Sequence, residues 1–276
     1  MRSQYDTPPL DSRSIKLRQL VIDALEGGKQ GHIGSSMSLV EIFRVLYDYV
    51  LKHDPRNPGW DERDRCILSK GHGCLALYAI LADAGYFPAE DLASFCHLES
   101  NLGGHPERGK VPGVEASTGS LGHGLSVGLG MALAMRIRNK TSRVFVIMGD
   151  GEINEGSVWE AAMAAGKHSV GNLVGLIDYN KIQSFGFTRD VLDLEPLADK
   201  WRSFGFHVQE ADGHAVEQLK SVLRNTADDT GQPHIIICHT VKGKGISFAE
   251  NDPAWHHKSS LQDEVIADMR RALGVN

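Results

Sequence analysis

Two apolar runs, separated by a segment of small residues, constrain the fold of this chain more than any other feature. They extend from Val144 to Met148 and from Leu173 to Ile177, and Val158 to Ala165 lies between them. Runs of large and β-branched residues without polar alternation are typical of strands buried on both faces of a parallel sheet. They predict a βαβ unit. Similar alternation elsewhere predicts one α/β domain over residues 1–276, with a doubly wound, mostly parallel sheet and helices on both faces.

A polar residue follows each of these predicted strands. Asp150 follows the first within the sequence Gly149-Asp150-Gly151, and Asn180 follows the second. Because ligands of parallel sheets lie beyond the carboxyl ends of the strands, we expect both side chains at one site. Carboxylate and amide oxygens are hard ligands that suit Mg²⁺ or Ca²⁺, and glycine lets a phosphate approach main-chain N–H groups. The pattern predicts a metal held jointly by the protein and a diphosphate.

The composition excludes several classes of protein. With 276 residues, of which 41% are hydrophobic, the chain can bury a full core. Its net charge of −6 provides no basic field for nucleic acid or for anionic membranes. No apolar run approaches the ~20 residues of a membrane span, and the amino terminus lacks the apolar region of a signal peptide. The four cysteines lack the paired spacing of a zinc site or a disulfide framework, which favours a cytoplasmic protein.

Polar and small residues predict details of two helices. Ser38 and Glu41 have the spacing of a capping box that opens a helix. In a later helix, Gly124, Gly128 and Ala132 lie four residues apart and form a smooth face. Because glycine weakens a helix by up to ~1 kcal/mol, we expect close packing of that face to compensate.

Four histidines lie in predicted loops, each next to a glycine or in a looser setting near one. They are His32, His72, His105 and His256. Glycine lets the backbone approach a ligand, and imidazole can donate to sugar hydroxyls or stabilise developing charge near neutral pH. Each histidine taken singly is as readily a packed residue as a catalytic one. Four in this setting are candidates for one active site.

Several short motifs, taken in order, resemble those of the transketolase family. They are Gly31-His32, Ser69-Lys70-Gly71-His72, Gly104-His105-Pro106-Glu107, Thr118 to Gly124, Gly149-Asp150-Gly151, Asp178 to Ile182 and Trp255-His256. Gly-Asp-Gly followed by Asn180, with residues 152–179 between them, also resembles the thiamine diphosphate signature. The resemblance extends over nearly the whole chain and implies the thiamine diphosphate-binding fold, specifically the family's diphosphate-binding domain.

The resemblance implies a cofactor and the residues that bind it. The cofactor would be thiamine diphosphate with Mg²⁺, for which Ca²⁺ or Mn²⁺ could substitute. Asp150, Asn180 and the backbone carbonyl of Ile182 would bind the metal. The full set of cofactor-binding residues would be His72, Gly119, Ser120, Leu121, Gly149, Asp150, Gly151, Glu152, Asn180, Ile182 and His256.

The resemblance also implies roles for the histidines and for one acid. His32, His72 and His256 would face the diphosphate, the thiazolium and the donor sugar. His105 would meet hydroxyls near the reacting carbon, and Glu155 matches a family acid at the subunit interface. His257 replaces a glycine that is common after His256 in the family, so either of these two histidines could face the site.

A second half of the enzyme is expected on another chain. In the family, the glutamate that protonates the aminopyrimidine lies in a following pyrimidine-binding domain, and this chain ends at Asn276. We therefore expect the pyrimidine-binding and carboxyl-terminal domains on a partner chain, in an α2β2 assembly. The smooth helix face and Glu155 would lie at the subunit contacts.

The leading interpretation is the amino-terminal subunit of a split transketolase, active only with its partner. It would transfer a two-carbon ketol unit from a ketose, phosphorylated or otherwise modified, to an aldose. The Lys242-Gly243-Lys244 segment is also similar to deoxyxylulose-phosphate synthase, so a subunit of that enzyme or of a 2-oxo acid dehydrogenase-like enzyme is an alternative. A non-catalytic regulatory subunit is another alternative. Loss of Asp150 or Asn180 would have favoured it, but both are present.

Overall fold

A parallel sheet lies at the centre of the computed structural model, which describes residues 7–184, 186–226 and 231–275. The polar residues 1–6 of the amino terminus fall outside the described residues. The strands are β1 (Arg65–Leu68), β2 (Val144–Gly149), β3 (Leu173–Tyr179), β4 (Ile182–Gln183), β5 (Gly186–Phe187), β6 (His207–Asp212) and β7 (His234–His239). Five of them form a sheet in the order β1-β2-β3-β7-β6, and every neighbouring pair is parallel. The predicted parallel sheet is confirmed, and β4 pairs with β5 in a short antiparallel hairpin.

Helices connect the strands of the sheet. They are α1 (Ser12–Gly28), α2 (Ile33–Ser38), α3 (Val40–Val45), α4 (Cys74–Asp83), α5 (Gly124–Ile137), α6 (Gly156–Lys167), α7 (Thr188–Val191), α8 (Leu197–Ser203), α9 (Val216–Arg224) and α10 (Asp263–Ala272). A π-helical turn covers Leu46–Val50, and 3₁₀ turns cover Gly71–Gly73, Ala89–Ser94, Glu152–Asn154 and Pro253–Trp255. In the described part of the chain, no helix is long and apolar enough to cross a membrane.

The two faces of the sheet carry separate apolar clusters. Phe145 and Ile147 of β2 pack with α1, α3, α4, α9 and α10. Val146 and Met148 point the other way and pack with α5, α6 and α8. Successive residues of a strand point to opposite faces, so a continuous apolar run fits a strand covered on both sides. The predicted doubly wound arrangement is confirmed.

The predicted capping box at Ser38 and Glu41 is wrong. The helix α2 already begins at Ile33, and Ser38 ends it. The Ser38 hydroxyl donates to Asp178 at 2.6 Å, and both carboxylate oxygens of Glu41 accept from Arg18, at 2.5 and 2.9 Å. Tertiary partners have therefore taken both side chains away from the helix terminus.

The smooth face of α5 packs within the chain and not at a subunit contact. A Cβ atom added at Gly124 would lie 2.2 Å from the hydroxyl oxygen of Ser69, and one at Gly128 would lie 2.4 Å from Val146 of β2. Ala132 is also fully buried. Close packing does compensate for the glycines, as predicted, but its partner is the chain's own sheet. The expectation of a subunit contact at this face is wrong.

Candidate functional site

A cavity of about 410 Å³ opens where the carboxyl ends of the strands meet. It is lined by His32, Ser35, Lys70, His72, His105, Gly119, Leu121, Gly149, Asp150, Gly151, Glu152, Asn180, Ile182, Gln183, Ser184, Lys242 and His256. Its volume is within the usual range for small-molecule sites. Because β1, β2, β3 and β7 are parallel, the segments that follow them converge at this edge of the sheet. Most of the predicted site residues are therefore brought together.

Two predicted site residues lie outside the cavity. Ser120 is exposed and does not line it, although its neighbours Gly119 and Leu121 do. Glu155 is also exposed, on the outer side of the turn before α6, where its side chain packs against Gly122. Its predicted role at a subunit interface stays a prediction.

The three predicted metal ligands follow β2 and β3. Asp150 and Asn180 come directly after these strands, and Ile182 is the first residue of β4. The two carboxylate oxygens of Asp150 accept from the backbone N–H groups of Gly151, at 2.7 Å, and Lys181, at 2.5 Å. The side-chain oxygen of Asn180 accepts from the Ile182 N–H at 3.1 Å. The Ile182 carbonyl accepts from the ammonium of Lys242 at 2.8 Å. These contacts fix one carboxylate, one amide and one carbonyl oxygen in neighbouring positions.

This set of donors fits a metal that is shared with phosphates. Across residues 7–184, 186–226 and 231–275, no three His, Cys, Asp or Glu side chains come together to hold a metal by themselves. Mg²⁺ typically binds through one or two carboxylates together with phosphate oxygens and water. Gly151 supports the fit, because a Cβ there would lie 2.6 Å from the Cβ of Gln183 and would crowd the turn beside Asp150.

A buried carboxylate, Asp178, ties the loops together beneath the cavity. It accepts from the Lys70 ammonium at 2.5 Å and from the hydroxyls of Ser38 and Thr240. Burial alone would raise its pKa, but Lys70 and the hydroxyl donors outweigh burial and lower it. For Asp150, burial first and the negative charge of Asp178 second raise the pKa to about 6. A cation beside Asp150 would favour its ionised form.

Glu152 holds two walls of the cavity in place. One of its carboxylate oxygens accepts from the Ser69 hydroxyl at 2.5 Å and from the Gly122 N–H at 3.0 Å, and the other from the Gly149 N–H at 3.1 Å. Burial raises its pKa, partly opposed by these donors. Because its oxygens are occupied by protein donors, the side chain acts chiefly by positioning the walls that carry Asp150 and Gly119.

The glycine-flanked histidines form one cluster in the cavity. The ring centre of His32 lies 5.2 Å from that of His72, 5.3 Å from His256 and 6.3 Å from His105. Gly119, with φ +142°, makes room for His105, because a Cβ there would lie 3.0 Å from that ring. The sequence left the choice between His256 and His257 open. His256 lines the cavity, whereas His257 is exposed and has its ring centre 4.5 Å from that of His32.

Burial keeps these imidazoles neutral. Burial first and His257 second lower the pKa of His32 to about 4, and burial first and Lys242 second lower that of His256 to about 3. Burial also lowers the pKa values of His72 and His105. A neutral imidazole has one N–H donor and one acceptor nitrogen, so the cluster can exchange hydrogen bonds with hydroxyl groups.

We expect the rings of His32 and His256 to stay largely neutral between pH 8 and pH 5. Burial penalises the charged form, so each ring takes up its proton only at a pH well below 6.5. The measurement is NMR of the imidazole carbon signals, assigned with the His32→Gln and His256→Gln variants. Ring signals that titrate near pH 6.5 would contradict the buried, neutral cluster.

Two lysines and an aspartate are functional candidates for which the sequence motifs predicted no role, although all three residues lie within those motifs. Lys70 and Lys242 line the cavity, and Asp178 lies beneath it. The sequence could have indicated two of these residues. Asp178 is a charged residue at the end of an apolar strand, and Lys70 lies two residues before His72. Lys242 lies in a loop of alternating lysine and glycine, where the sequence gives no sign that it is buried.

Nearly the whole chain matches one protein family. The model of that family, described as "Transketolase, thiamine diphosphate binding domain", matches residues 11–276. The chain belongs to the transketolase family. Its parallel sheet and its cavity agree with that membership, because the family model describes a domain that binds thiamine diphosphate.

Two relatives match this transketolase-family chain over nearly their full lengths. It is 44% identical over 254 residues to the 6-deoxy-6-sulfo-D-fructose transketolase subunit SqwG of Clostridium sp., with 92% of each chain covered. It is 42% identical over 261 residues to an apulose-4-phosphate transketolase subunit of Actinobacillus succinogenes, covering 95% of this chain and 94% of that protein. Both relatives are named as subunits.

A solved transketolase has the same fold over part of its length. The transketolase from Leishmania mexicana superimposes with a TM-score of 0.89 at 32% sequence identity. The match covers 98% of this chain but 42% of that one. The transketolase-family chain therefore spans less than half of the solved transketolase.

Proposed function

We propose that this chain is the amino-terminal, diphosphate-binding subunit of a two-chain transketolase. With thiamine diphosphate and Mg²⁺, it would transfer a two-carbon ketol unit from a ketose to an aldose. The observation that carries the proposal is the convergence, in one cavity, of the oxygen ligands of Asp150, Asn180 and Ile182 with the neutral histidine cluster. The oxygen ligands suit a metal diphosphate, and the histidines suit the hydroxyls of a sugar.

The chain's own residues would hold the cofactor and steady the reacting sugar. Bound thiamine diphosphate would supply the carbanion-stabilising chemistry that ketol transfer requires. Asp150, Asn180 and the Ile182 carbonyl would bind Mg²⁺, or Ca²⁺ or Mn²⁺ in its place, together with the diphosphate. The neutral imidazoles can donate hydrogen bonds to sugar oxygens on which negative charge develops. The histidines therefore bind and orient the sugar, and the metal ligands place the cofactor.

The proposed partner is a chain with the pyrimidine-binding and carboxyl-terminal domains, in an α2β2 assembly. The names of the two relatives, both called subunits, support a partner. The exposed surfaces of α5 and α6 also support it, because Val127, Ile137 and Met163 are 42%, 81% and 54% exposed. Large exposed apolar side chains are candidates for subunit contacts. We propose that the protein is located in the cytoplasm.

The proposed substrates are sugars that carry an anionic group. One relative is named for a sulfonated sugar and the other for a sugar phosphate. The test combines this chain with a pyrimidine-domain chain, thiamine diphosphate and Mg²⁺, and supplies either a ketose with an aldose or pyruvate. Ketose-dependent transfer supports the proposal. Release of carbon dioxide from pyruvate would instead support the deoxyxylulose-phosphate synthase or 2-oxo acid dehydrogenase alternative, and a regulatory subunit would support neither reaction.

His105→Ala is expected to lower the turnover of ketol transfer by about 100-fold while cofactor affinity changes little. His105 lies against Gly119, and its ring centre is 6.3 Å from that of His32 in the histidine cluster. An interaction made mainly in the transition state lowers kcat and kcat/KM together. Steady-state kinetics and calorimetry provide the comparison, and exposed His97→Ala is the control. Wild-type turnover in His105→Ala would show that His105 is not an active-site residue.

A further inference from the structure

A second cavity, of about 660 Å³, lies beside the first at the carboxyl ends of β3 and β7. Its walls come from the segment after β3, from β5 and α7, and from the loop after β7. Among the described residues, Asn180 is the one that lines both cavities. The volume is within the usual range for small-molecule sites, and the proposed function makes no use of this space.

Two buried rings at the ends of neighbouring strands line the second cavity. Tyr179 of β3 and His239 of β7 are partners in the parallel register, and their ring centres lie 5.5 Å apart. They are 5% and 8% exposed. The Tyr179 hydroxyl donates to Glu195 at 2.6 Å, which ties the strand end to the segment after α7. The sheet and this hydrogen bond therefore preform the cavity.

Two cationic side chains of the second cavity have hydrogen-bond donors to spare. The Lys181 ammonium lies 5.3 Å from the centre of the Tyr179 ring, and it has no hydrogen bond or ion pair within the part of the chain that the structure describes. The Arg189 guanidinium lies 5.3 Å from the centre of the Phe187 ring, and its Nε is 3.4 Å from Asp190, longer than a charge-assisted hydrogen bond. Because an aromatic face attracts a cation without satisfying its N–H donors, both side chains can bind an anion.

The two carboxylates of the second cavity differ in what they can still accept. Both oxygens of Glu195 accept from protein donors, the Tyr179 hydroxyl and, at 2.8 Å, the Leu197 N–H. One oxygen of Asp193 accepts from the Glu195 N–H at 3.2 Å, and no donor among the described residues reaches the other. That oxygen can accept from a ligand hydroxyl. The cavity therefore suits a ligand that carries both an anionic group and a hydroxyl.

Lys181 connects the two cavities. Its φ of +67° is in the left-handed region, which is uncommon for a residue other than glycine. Its N–H donates to Asp150 of the first cavity at 2.5 Å, and its carbonyl accepts from the Thr188 N–H at 2.9 Å. A backbone held in such a conformation depends on its surroundings. A ligand that held the Lys181 side chain would also hold the N–H that positions Asp150.

We propose that the second cavity binds a small hydroxylated organic anion, a polyol phosphate or a polyol carboxylate, and that Lys181 couples this binding to the cofactor cavity. The anionic group binds Lys181 and Arg189, and a hydroxyl donates to Asp193. Phosphate and carboxylate both offer the oxygens that these cations require. The binding site goes beyond the proposed function, and only the coupling rests on it.

The probes are glycerol 3-phosphate, glycerate and uncharged glycerol. Lys181→Met keeps the stem and removes the charge, so it should weaken binding of the anions by about tenfold or more, because a charge-assisted hydrogen bond is lost. Arg189→Met should act similarly, whereas Lys181→Arg should keep the affinity. Glycerol should not bind at the same concentrations. With thiamine diphosphate and Mg²⁺ bound, the anions should bind about fivefold or more tightly.

The experiment is calorimetric titration of this chain with each probe, with and without thiamine diphosphate and Mg²⁺. Lys167→Met, at the exposed end of α6, is the matched control for loss of a lysine charge. His32→Gln shows whether a probe has bound in the first cavity instead. Far-ultraviolet circular dichroism confirms that each variant is folded.

The outcomes separate this inference from the proposed function. Loss of anion binding in Lys181→Met and Arg189→Met, with wild-type binding in the other three variants, supports the site. No binding of either anion, or binding that is lost in His32→Gln and kept in Lys181→Met, would overturn it while the proposed function stands. Equal anion affinity with and without bound cofactor would overturn the coupling. A chain that binds the anions but no thiamine diphosphate in the presence of Mg²⁺ would overturn the proposed function instead.

Discussion

Asp150→Ala is expected to weaken metal-dependent binding of thiamine diphosphate by about 100-fold or more. Loss of groups that merely orient metal ligands already costs about 10- to 100-fold in metal affinity, and Asp150 would be a direct ligand. It is also the one charged ligand in the proposed set, in which the others are the amide of Asn180 and the carbonyl of Ile182. Mg²⁺ demands near-ideal octahedral geometry, so the remaining oxygens compensate poorly.

Companion variants separate the charge of Asp150 from its shape. Asp150→Asn keeps an oxygen that can accept from the Gly151 or Lys181 N–H, and it should still lose most of the affinity if charge is what binds the metal. Asn180→Ala removes a neutral ligand and should cost less, about tenfold. Asp199→Ala, on the exposed surface of α8, is the control. If calorimetry finds unchanged affinity for thiamine diphosphate in both Asp150→Ala and Asn180→Ala, these residues are not metal ligands.

The second large effect concerns the partner chain. We expect this chain alone to show less than about 1% of the ketol-transfer activity of the assembled enzyme. The proposed ligands on this chain hold the cofactor at its diphosphate end, and a displacement of about 1 Å at the reacting end can cost ~100-fold in rate. The measurement is the transferase assay with and without a pyrimidine-domain chain.

The same experiment tests the assembly. Activity should rise until the two chains are equimolar, and light scattering should give the mass of two copies of each. Val127→Asp and Met163→Glu, on the exposed surfaces of α5 and α6, should weaken assembly while leaving the isolated chain folded. Full turnover by the isolated chain would overturn the two-chain account.

The central βαβ unit and the cavity above it follow from local features of the sequence. The apolar runs of β2 and β3 are long enough to predict strands, and parallel strands bring the residues after them to one edge. Asp150 and Asn180 could therefore be placed together before the structure was known. The four histidines are spread over more than two hundred positions, and their approach within 7 Å depends on folds of the loops that no local pattern describes.

The wrong predictions share one cause, which is that tertiary contacts outweighed local patterns. Glu41 has the spacing of a capping residue, but a buried arginine of α1, Arg18, donates to both of its carboxylate oxygens. The smooth face of α5 predicted a close contact without indicating the partner, which is β2 of the same chain. Burial of Lys242, about which the sequence made no prediction, also depends on a distant residue, the glycine at position 34 in α2. Such pairings are set by the whole fold.

The most direct test of the account is the position of the metal in the loaded protein. Crystals of this chain with thiamine diphosphate and Mn²⁺, measured near the manganese absorption edge, give the metal position from its anomalous scattering. We predict one strong peak in contact with the carboxylate of Asp150, the side-chain oxygen of Asn180, the carbonyl of Ile182 and the diphosphate. A peak on the histidine cluster, or a diphosphate bound away from the loops after β2 and β3, would contradict the proposed function.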